Sequence, residues 1–348
     1  MKEIRENRKL DHIEQALKSK AGPLSPGWED IHLVHQAVVN SNIEDVNTSI
    51  TLFDKKLAAP IIINAITGGA EGLEKINCLL AEIAKEFGLG MAVGSQTAGV
   101  MNINLQSTYK IAREKNPTGL IFANVSADVK PKLALDAIEM IEADALQLHL
   151  NSVQELAMKE GNSNFRGLAE NIQSICQRVS VPVIVKEVGN GISQETARKL
   201  AQLGIRGIDT GGSGGTNFAS IELARFNQQK LEFLKWWGIS SAISLIETTS
   251  LGLDTLIFAS GGITQATHVM KALSLGADAV GIAGSILDIL INKGMTELKN
   301  YISNMLYELK ILMLLTGAKN IDEIKKLPVV VTGFTREWCE QRHIEVSK

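Results

Sequence analysis

The sequence lacks the features that mark secreted, membrane and nucleic-acid-binding proteins. It has only three cysteines in 348 residues, Cys78, Cys176 and Cys339, with no C-x-x-C pair, which argues against a disulfide framework and a zinc site. No apolar run reaches the roughly 18 residues that a membrane-spanning helix needs. Its 35 basic and 38 acidic residues are dispersed, so no basic patch for nucleic acid is indicated. We therefore expect a small-molecule ligand, and neither a membrane nor a nucleic acid as partner.

The N-terminus also lacks the apolar segment of a secretion signal. Its first 20 residues, MKEIRENRKLDHIEQALKSK, mix both charge signs throughout. Such a segment predicts a cytoplasmic protein. The remaining composition, 45% hydrophobic and 21% charged residues, is that of a globular protein with a substantial core.

Eight short apolar runs recur along the chain, separated by segments with helical periodicity. They lie at 60–66, 89–95, 119–126, 144–151, 181–188, 205–211, 254–261 and 278–285. Continuous apolar strands joined by helical crossovers indicate a parallel sheet that is covered on its faces. Polar and glycine residues follow nearly every run, whereas an open doubly wound sheet would concentrate them near one switch point. We therefore predict the α/β class and a (β/α)8 TIM barrel.

The same pattern predicts one barrel domain with extensions at both ends. Residues 59–300 form the barrel core, and residues 301–348 form a C-terminal helix and tail. Residues 1–58 form an N-terminal extension, a charged helix followed by a short hairpin, which we expect to cover the barrel mouth. The longest crossover, about 212–253, is expected to be a lid or binding loop because connections of that length are uncommon.

Glycine-rich turns follow the sixth, seventh and eighth runs, at 207–217 (GIDTGGSGGTN), 260–263 and 282–285. In barrels, the loops after strands 7 and 8 often bind phosphate through backbone N–H groups and a helix N-terminus. Neither a P-loop nor a G-x-G-x-x-G motif occurs, so we interpret the turns as a cradle for a mononucleotide phosphate. Ordinary tight turns are the alternative. The candidate residues are Ser213, Gly214, Thr216, Gly261, Gly262, Ala283 and Gly284.

Charged and polar residues end the fourth and fifth runs. Lys186 ends the fifth, where a fixed ammonium group would stabilise negative charge near N1 of a reduced flavin; a rim salt bridge is the alternative. His149 and Asn151 lie on the same side of the fourth strand because side chains alternate, and Gln154 and Glu155 follow. These groups suit a diphosphate, an alkene and Mg²⁺. A core or solvated residue is the better explanation for any one of them alone, but a weaker one for all four together.

The motifs, in this order and spacing, resemble those of type 2 isopentenyl diphosphate isomerase, the FMN-dependent form. They are RKLDHI (8–13), AITGG (65–69), VGSQ (93–96), HLNSVQE (149–155), KEVGNGIS (186–193), DTGGSGGTNFASIE (209–222), SGGI (260–263) and AGS (283–285). The resemblance implies an FMN-binding barrel that interconverts isopentenyl and dimethylallyl diphosphate for isoprenoid precursor synthesis. It also implies Mg²⁺, flavin reduced by NADPH or NADH, no net redox change, and a homo-oligomer, tetrameric or larger.

The resemblance assigns roles to the residues that match its motifs. The flavin ring and ribityl chain would contact Thr67, Gly68, Ser95 and Asn124. Lys186 would lie at flavin N1, and the glycine-rich turns would hold the phosphate. The substrate diphosphate would be held by Arg8, Lys9, His12, His149 and Asn151. Gln154 would lie at the reacting carbons, as a catalytic residue with Lys186 and His149, and Glu155 would bind Mg²⁺. Some members carry arginine where this chain has Thr97, so the resemblance leaves open whether this position contacts the diphosphate.

Three other classes fit parts of the pattern. An FMN-dependent oxidoreductase of the 2-hydroxy-acid oxidase type shares the barrel, yet it would need a histidine base and an arginine after a late strand, where TGGSGG stands. An IMP-dehydrogenase-like barrel would need a cysteine nucleophile in a loop, and the three cysteines lie away from the strand ends. A non-catalytic phosphate-binding barrel would leave the polar cluster at 149–155 without a purpose.

Overall fold

The structure is a computed structural model that describes residues 22–226 and 229–345. The charged helix predicted for the N-terminus lies outside these ranges, and so do Arg8, Lys9 and His12. Within the described ranges no helix is both long and apolar enough to cross a membrane.

The described part of the chain contains twelve strands and fourteen α-helices. The strands are β1 (Ile31–Leu33), β2 (Ile50–Leu52), β3 (Lys55–Leu57), β4 (Ile61–Ile63), β5 (Gly90–Ala92), β6 (Ile121–Ser126), β7 (Ala145–Leu150), β8 (Val183–Glu187), β9 (Gly207–Asp209), β10 (Leu256–Ser260), β11 (Ala279–Ile282) and β12 (Val329–Val331). The helices are α1 (Leu73–Phe87), α2 (Thr97–Met101), α3 (Ser107–Lys115), α4 (Pro131–Met140), α5 (Ser152–Ala157), α6 (Leu168–Cys176), α7 (Gln194–Ala201), α8 (Phe218–Phe226), α9 (Ser241–Thr249), α10 (Ala266–Ser274), α11 (Gly284–Asn292), α12 (Met295–Thr316), α13 (Ile321–Ile324) and α14 (Gly333–Gln341). Short 3-10 helices lie at Trp28–Asp30, Ile43–Asp45, Ile103–Leu105 and Gln229–Trp236.

Strands β4 to β11 form a closed parallel barrel in which sequence neighbours pair and β11 returns to β4. Each predicted apolar run contains one of these strands, so the prediction of a (β/α)8 TIM barrel is confirmed. Strands β4 and β8 are buried at every position because helices cover the outside of the barrel and side chains fill its inside. Each fully buried aliphatic side chain contributes about 1.5–3 kcal/mol relative to an exposed one.

The first crossover shows how the sequence defines a barrel helix. Helix α1 turns Leu73, Leu80 and Ile83 inward, at the spacing that places residues on one helical face. It ends at Gly88, which has φ 61° and donates its N–H to the carbonyl of Ala84. That left-handed conformation favours glycine, so the helix stops where the next strand has to begin.

The hairpin of β2 and β3 closes the amino-terminal end of the barrel. Its two-residue turn, Phe53-Asp54, has φ values of 49° and 61°, as a tight hairpin turn requires. The Phe53 ring lies 6.1 Å from the ring of Phe122 and 6.5 Å from that of Phe258. Phe122 and Phe258 are buried strand residues. Each lies two positions before a polar residue of the barrel interior, Asn124 and Ser260 respectively. The hairpin therefore lies at the end opposite the mouth that residues 1–58 were expected to cover.

Only residues 22–30 of the described extension lie at the mouth. A Cβ atom on Gly262 would lie 2.7 Å from Pro26, and the indole N–H of Trp28 donates to the carbonyl of Gly261 at 3.3 Å. This strap continues into β1, which pairs with β12 near the C-terminus. The backbone N–H groups of Thr332 and Thr335, which follow β12, also donate hydrogen bonds to Asp30, each at 2.9 Å.

The long crossover after β9 contains α8, the 3-10 helix Gln229–Trp236 and α9. Leu234 of the 3-10 helix and Leu223 of α8 pack against Val153 and Ala157 of α5. Since α5 directly follows β7, this crossover lies against the loop that carries the predicted substrate residues.

Candidate active site at the carboxyl end of the barrel

Buried polar side chains line the interior of the barrel near the carboxyl ends of its strands. A barrel interior is normally filled by apolar side chains, so a polar layer indicates a site or a network. Each of the six residues is at most 9% exposed, and together they form a hydrogen-bonded network. They are Asn64, Asn124, Gln147, Lys186, Asp209 and Ser260.

Lys186 lies inside this layer with every ammonium hydrogen close to an acceptor. Its Nζ donates to Asp209 Oδ2 at 3.0 Å, to Ser260 Oγ at 3.3 Å and to the carbonyl of Glu187 at 3.2 Å. Asp209 is 1% exposed, so the partner of the lysine is an interior carboxylate and not a neighbour on the rim. No role was predicted for Asp209, although it lies on the strand next to that of Lys186 and is its partner in register.

A second branch of the network connects Asp209 to His149. Asn64 Nδ2 donates to Asp209 Oδ2 at 2.8 Å, and Gln147 Nε2 donates to Asn64 Oδ1 at 3.1 Å. Asn124 Nδ2 donates to Gln147 Oε1 at 3.1 Å, and Asn124 Oδ1 lies 2.9 Å from His149 Nδ1. The predicted flavin residue Asn124 and the predicted substrate residue His149 are therefore in direct contact.

The polar cluster after β7 contacts the crossover after β9. The Asn151 amide donates to Glu155 Oε1 at 3.1 Å and to Gln154 Oε1 at 3.4 Å. Gln154 Nε2 in turn donates to Glu222 Oε1 at 2.9 Å. Glu222 is fully buried and forms an ion pair with Arg225 at 2.5 Å. No role was predicted for Glu222. A single acidic residue within the apolar segment FASIELA could have indicated a buried carboxylate.

Glu155 has the geometry of a carboxylate held at the mouth but not of a complete metal cage. Its Oε2 accepts from the backbone N–H of Asn162 at 2.8 Å, and Asn151 holds its other oxygen. No group of three His, Cys, Asp or Glu side chains within the described ranges lies close enough to hold a metal. Mg²⁺ commonly binds one or two carboxylates together with substrate phosphates, so this carboxylate fits a Mg²⁺ ion that a diphosphate brings.

The loops after β4 and β5 bring three predicted flavin residues together. The N–H of Gly94 donates to the carbonyl of Thr67 at 2.8 Å, and the Tyr109 hydroxyl donates to the carbonyl of Ser95 at 2.6 Å. Gly68 has φ 138°, and a Cβ atom there would collide with the Tyr109 ring. Glycine is therefore required at this position by the close approach of Tyr109.

The glycine-rich turns after β9, β10 and β11 also lie next to one another. A Cβ atom on Gly215 would lie 2.7 Å from the nitrogen of Gly262, and one on Gly284 would lie 3.4 Å from Thr216 Oγ1. Gly284 opens α11, whose N-cap residue Ala283 provides no side-chain hydrogen bond. An uncapped helix N-terminus beside these turns is a suitable place for a phosphate dianion.

Four hydroxyl groups in this region are buried without a hydrogen-bond partner among the described residues. They are Thr67 Oγ1, Thr210 Oγ1, Ser213 Oγ and Ser240 Oγ. A buried hydroxyl left unsatisfied costs about 1–3 kcal/mol, so a ligand oxygen within reach of such a group would be stabilised there. The Ser213 hydroxyl packs against Gly238 and the Ser240 hydroxyl against Gly27, so Thr67 and Thr210 are the better candidates of the four for contact with a ligand. The residues present thus fit a flavin mononucleotide.

Glu187 shapes the loop between β8 and α7. Its Oε2 accepts the backbone N–H groups of Gly189 at 2.6 Å, of Gly191 at 3.2 Å and of Asn190. Complete burial raises the pKa of Glu187 from 4.5 to about 7, against the opposing effect of these hydrogen bonds and of Lys186. The Asn190 side chain also donates to the carbonyl of Trp237, so this carboxyl group supports the segment of the long crossover between its 3-10 helix and α9.

Replacing Glu187 with glutamine is expected to change how stability depends on pH. Because the pKa is raised in the folded state, the wild type gains stability from this group below about pH 4.5 and loses it as the pH rises through about 7. The shift corresponds to about 3 kcal/mol. Thermal unfolding midpoints of both proteins at pH 5 and pH 8 measure the effect, and Glu187→Gln should gain relative to wild type at pH 8. Parallel pH profiles would contradict it.

Comparison with known proteins shows the class to which the chain belongs. The profile of the FMN-dependent dehydrogenase family matches residues 123–330. Solved structures of mandelate oxidase share the fold at 16% sequence identity: one, a mutant with a monooxide FMN adduct, has a TM-score of 0.66 over 91% of this chain and 95% of that chain. Another, with (S)-4-hydroxymandelic acid, has a TM-score of 0.65 over 92% and 94%. The barrel and the family profile place the chain in the class of FMN-dependent (β/α)8 proteins.

Bacterial relatives identify the family within that class. Proteins named isopentenyl-diphosphate delta-isomerase are 46% identical in Moorella thermoacetica (97% of this chain, 98% of that protein) and 42% identical in Symbiobacterium thermophilum (99% and 97%). A protein of that name in Staphylococcus aureus is 40% identical over 99% of this chain and 98% of its own length. The chain belongs to the isopentenyl-diphosphate delta-isomerase family, in its FMN-dependent, type 2 form. The resemblance seen in the sequence motifs is thereby confirmed.

Proposed function

We propose that this protein interconverts isopentenyl and dimethylallyl diphosphate, with FMN, Mg²⁺ and NADPH or NADH as the reductant that keeps the flavin reduced. The observation that carries the proposal is 40–46% identity to isopentenyl-diphosphate delta-isomerases over nearly the whole chain. Likeness to mandelate oxidase, at 16% identity, extends to the fold alone. The 2-hydroxy-acid oxidase alternative therefore has weaker support.

The unsatisfied hydroxyls and the adjoining glycine turns support the assignment of FMN to the mouth. Thr67, Gly68, Ser95 and Asn124 would hold the ring and the ribityl chain. The phosphate would lie among Ser213, Gly214, Thr216, Gly261, Gly262, Ala283 and Gly284. Reduced FMN supplies an electron-rich face beside a carbon that acquires cationic character. Lys186, fixed by Asp209 and Ser260, would stabilise negative charge on the reduced ring because it is buried, where electrostatic interactions are stronger than in water.

The substrate diphosphate would lie at the residues that follow β7. His149 and Asn151 would donate hydrogen bonds to it, and Glu155 would bind the Mg²⁺ ion that it carries. Arg8, Lys9 and His12 would complete this site from the N-terminal segment, which lies outside the described residues. Lysine and arginine are well suited to a diphosphate, since each donates charged hydrogen bonds to phosphate oxygens.

Proton transfer at the five-carbon chain would depend on Gln154 and Glu222. The reaction adds a proton to a terminal alkene carbon and removes one from the carbon that leads to the diphosphate. Gln154 has no useful pKa near neutrality, so it would position the substrate or pass a proton while the buried Glu222 holds its amide. The crossover after β9, which carries Glu222, packs against α5 and would exclude water, which would otherwise trap a carbon with cationic character.

Anaerobic incubation with isopentenyl diphosphate in heavy water tests the proposal. With FMN, Mg²⁺ and NADPH present, the expected product is dimethylallyl diphosphate that contains deuterium. Hydroxy acids such as mandelate should leave the bound flavin oxidised. Bleaching of the flavin by a hydroxy acid, without conversion of isopentenyl diphosphate, would support the oxidase class and overturn the proposal.

We also propose that the protein acts in the cytoplasm as a homo-oligomer, tetrameric or larger. The resemblance to the isomerase family supports the oligomer, and the mixed charges of the N-terminus support the cytoplasm. The mass of the holoprotein in solution, measured by light scattering, tests it directly. A single-chain mass of 37.7 kDa at micromolar concentration would contradict it.

A further inference from the structure

The buried chain of amides inside the barrel has a defined direction because Asp209 stands at one end. An ionised carboxylate can only accept hydrogen bonds, and the Lys186 ammonium 3.0 Å away is its counter-ion. Asn64 must therefore turn its NH2 group toward Asp209, at 2.8 Å. Its carbonyl oxygen is then the atom that meets Gln147 Nε2, at 3.1 Å.

The same constraint passes along the remaining residues of the chain. Gln147 donates through Nε2, so its Oε1 is left to accept from Asn124 Nδ2 at 3.1 Å. The Asn124 amide thus presents Oδ1 to the imidazole of His149, 2.9 Å from Nδ1. An oxygen acceptor at that distance requires a proton on Nδ1.

The reverse direction is strongly disfavoured. It would place the Asn64 oxygen against the Asp209 carboxylate, and it would break the hydrogen bond from the N–H of Ala65 to Asn64 Oδ1 at 2.9 Å. Asn64 and Gln147 are each 3% exposed, so bulk water does not reach the unpaired atoms. Buried acceptors that face each other carry the full penalty of lost hydrogen bonds.

We propose that Asp209 is a positioning residue that selects the tautomer of His149. Acting through Asn64, Gln147 and Asn124, it holds the neutral imidazole with its proton on Nδ1. The inference depends on the proposed function only for its consequence, which concerns how His149 binds the substrate diphosphate. There, Nε2 carries the lone pair of the neutral ring, so His149 can donate to the substrate diphosphate only after the ring takes up a second proton.

Nitrogen NMR of the histidine rings tests the tautomer without any ligand. The protein contains six histidines, so the His149 signals are assigned by their loss in His149→Gln. Spectra are recorded with ¹⁵N-labelled histidine at a pH above the titration of the ring. We expect Nδ1 at the shift of a protonated nitrogen and Nε2 at that of an unprotonated one. The opposite assignment in the wild-type protein would overturn the proposal.

Gln147→Met cuts the chain while the Lys186–Asp209 pair remains. The Asn124 amide is then free to turn, so His149 should show a mixture of both tautomers. Ser260→Ala is the matched control: it removes a hydroxyl that donates to Asp209 but leaves all three amides in place, and it should retain the wild-type spectrum. A pure Nδ1–H tautomer in Gln147→Met would show that Asp209 does not select it.

Kinetics separate this inference from the proposed function. At a pH above the titration of the ring, part of the His149 population in Gln147→Met carries its proton on Nε2, so we expect a KM for isopentenyl diphosphate up to about tenfold lower than in the wild type, the gain of about one hydrogen bond to a charged group, with a much smaller change in kcat. An unchanged KM with a mixed tautomer would overturn the link to diphosphate binding. A protein without isomerase activity would overturn the proposed function, yet the nitrogen spectra would still decide the tautomer.

Discussion

Replacing Lys186 with methionine is expected to lower kcat with reduced FMN by roughly 10²–10³-fold, the effect of removing one preorganised electrostatic group from a dry site. Methionine keeps much of the length of the side chain but carries no charge. The isomerisation rate is measured under anaerobic conditions with chemically reduced flavin, so that reduction itself is not limiting. The absorbance of the bound reduced flavin should also shift toward that of the neutral form.

The same substitution leaves the buried Asp209 carboxylate without its counter-ion, which costs about 3–5 kcal/mol of folding stability. The double variant Lys186→Met with Asp209→Asn separates the two effects because it removes both charges. We expect it to recover most of the lost stability, measured by chemical denaturation, but not the lost activity. Recovery of the activity in the double variant would show that Lys186 acts through folding and not through the flavin.

Replacing Glu222 with glutamine is expected to lower kcat by roughly 10²-fold, at the lower end of the range for loss of proton-transfer catalysis. Glu222 accepts from Gln154 Nε2 at 2.9 Å, and a glutamine in its place can present an NH2 group that repels that donor. The substrate diphosphate binds elsewhere, so KM should change little. Initial rates over a range of isopentenyl diphosphate concentrations distinguish the two parameters.

Glu232→Gln serves as the matched control for Glu222→Gln. Glu232 lies on the same crossover, in the 3-10 helix, and is exposed, with an ion pair to Lys235. Exposed ion pairs contribute about 0–1 kcal/mol, so this variant should behave as the wild type. Equal losses of kcat in both variants would assign the effect to the crossover as a whole and contradict a specific role for Glu222.

Much of the fold was predictable because its signals are local. The run PIIINAI is long enough and apolar enough to indicate a buried strand, and the glycine that ends α1 marks where the helix stops. The short hairpin predicted for the N-terminal extension is confirmed as β2 and β3. Its position was not predicted correctly, because the partners of Phe53 are Phe122 and Phe258, which only the closure of the barrel brings together.

The polar network was harder to predict because its contacts also form only when the barrel closes. His149 and Asn151 are visible as a motif because they are close in sequence, and their strand alternation is a local property. Asp209 becomes significant only when β8 and β9 align it with Lys186. Glu222 becomes significant only when α8 packs on α5 and brings it to Gln154. The contacts of Asp209 and Glu222 join residues that are far apart in the sequence. Periodicity and composition are local properties, so they do not reveal such contacts.

The pairing of β1 with β12 has a consequence for the order in which the protein matures. The strap of residues 22–30 that covers the glycine turns continues into β1, and β1 gains its partner only when Val329–Val331 has been made. Strand β4 likewise waits for β11 before the barrel closes. We therefore expect a chain still attached to the ribosome to bind FMN poorly, so that flavin is acquired after synthesis ends and apoprotein accumulates when expression outpaces the supply of riboflavin.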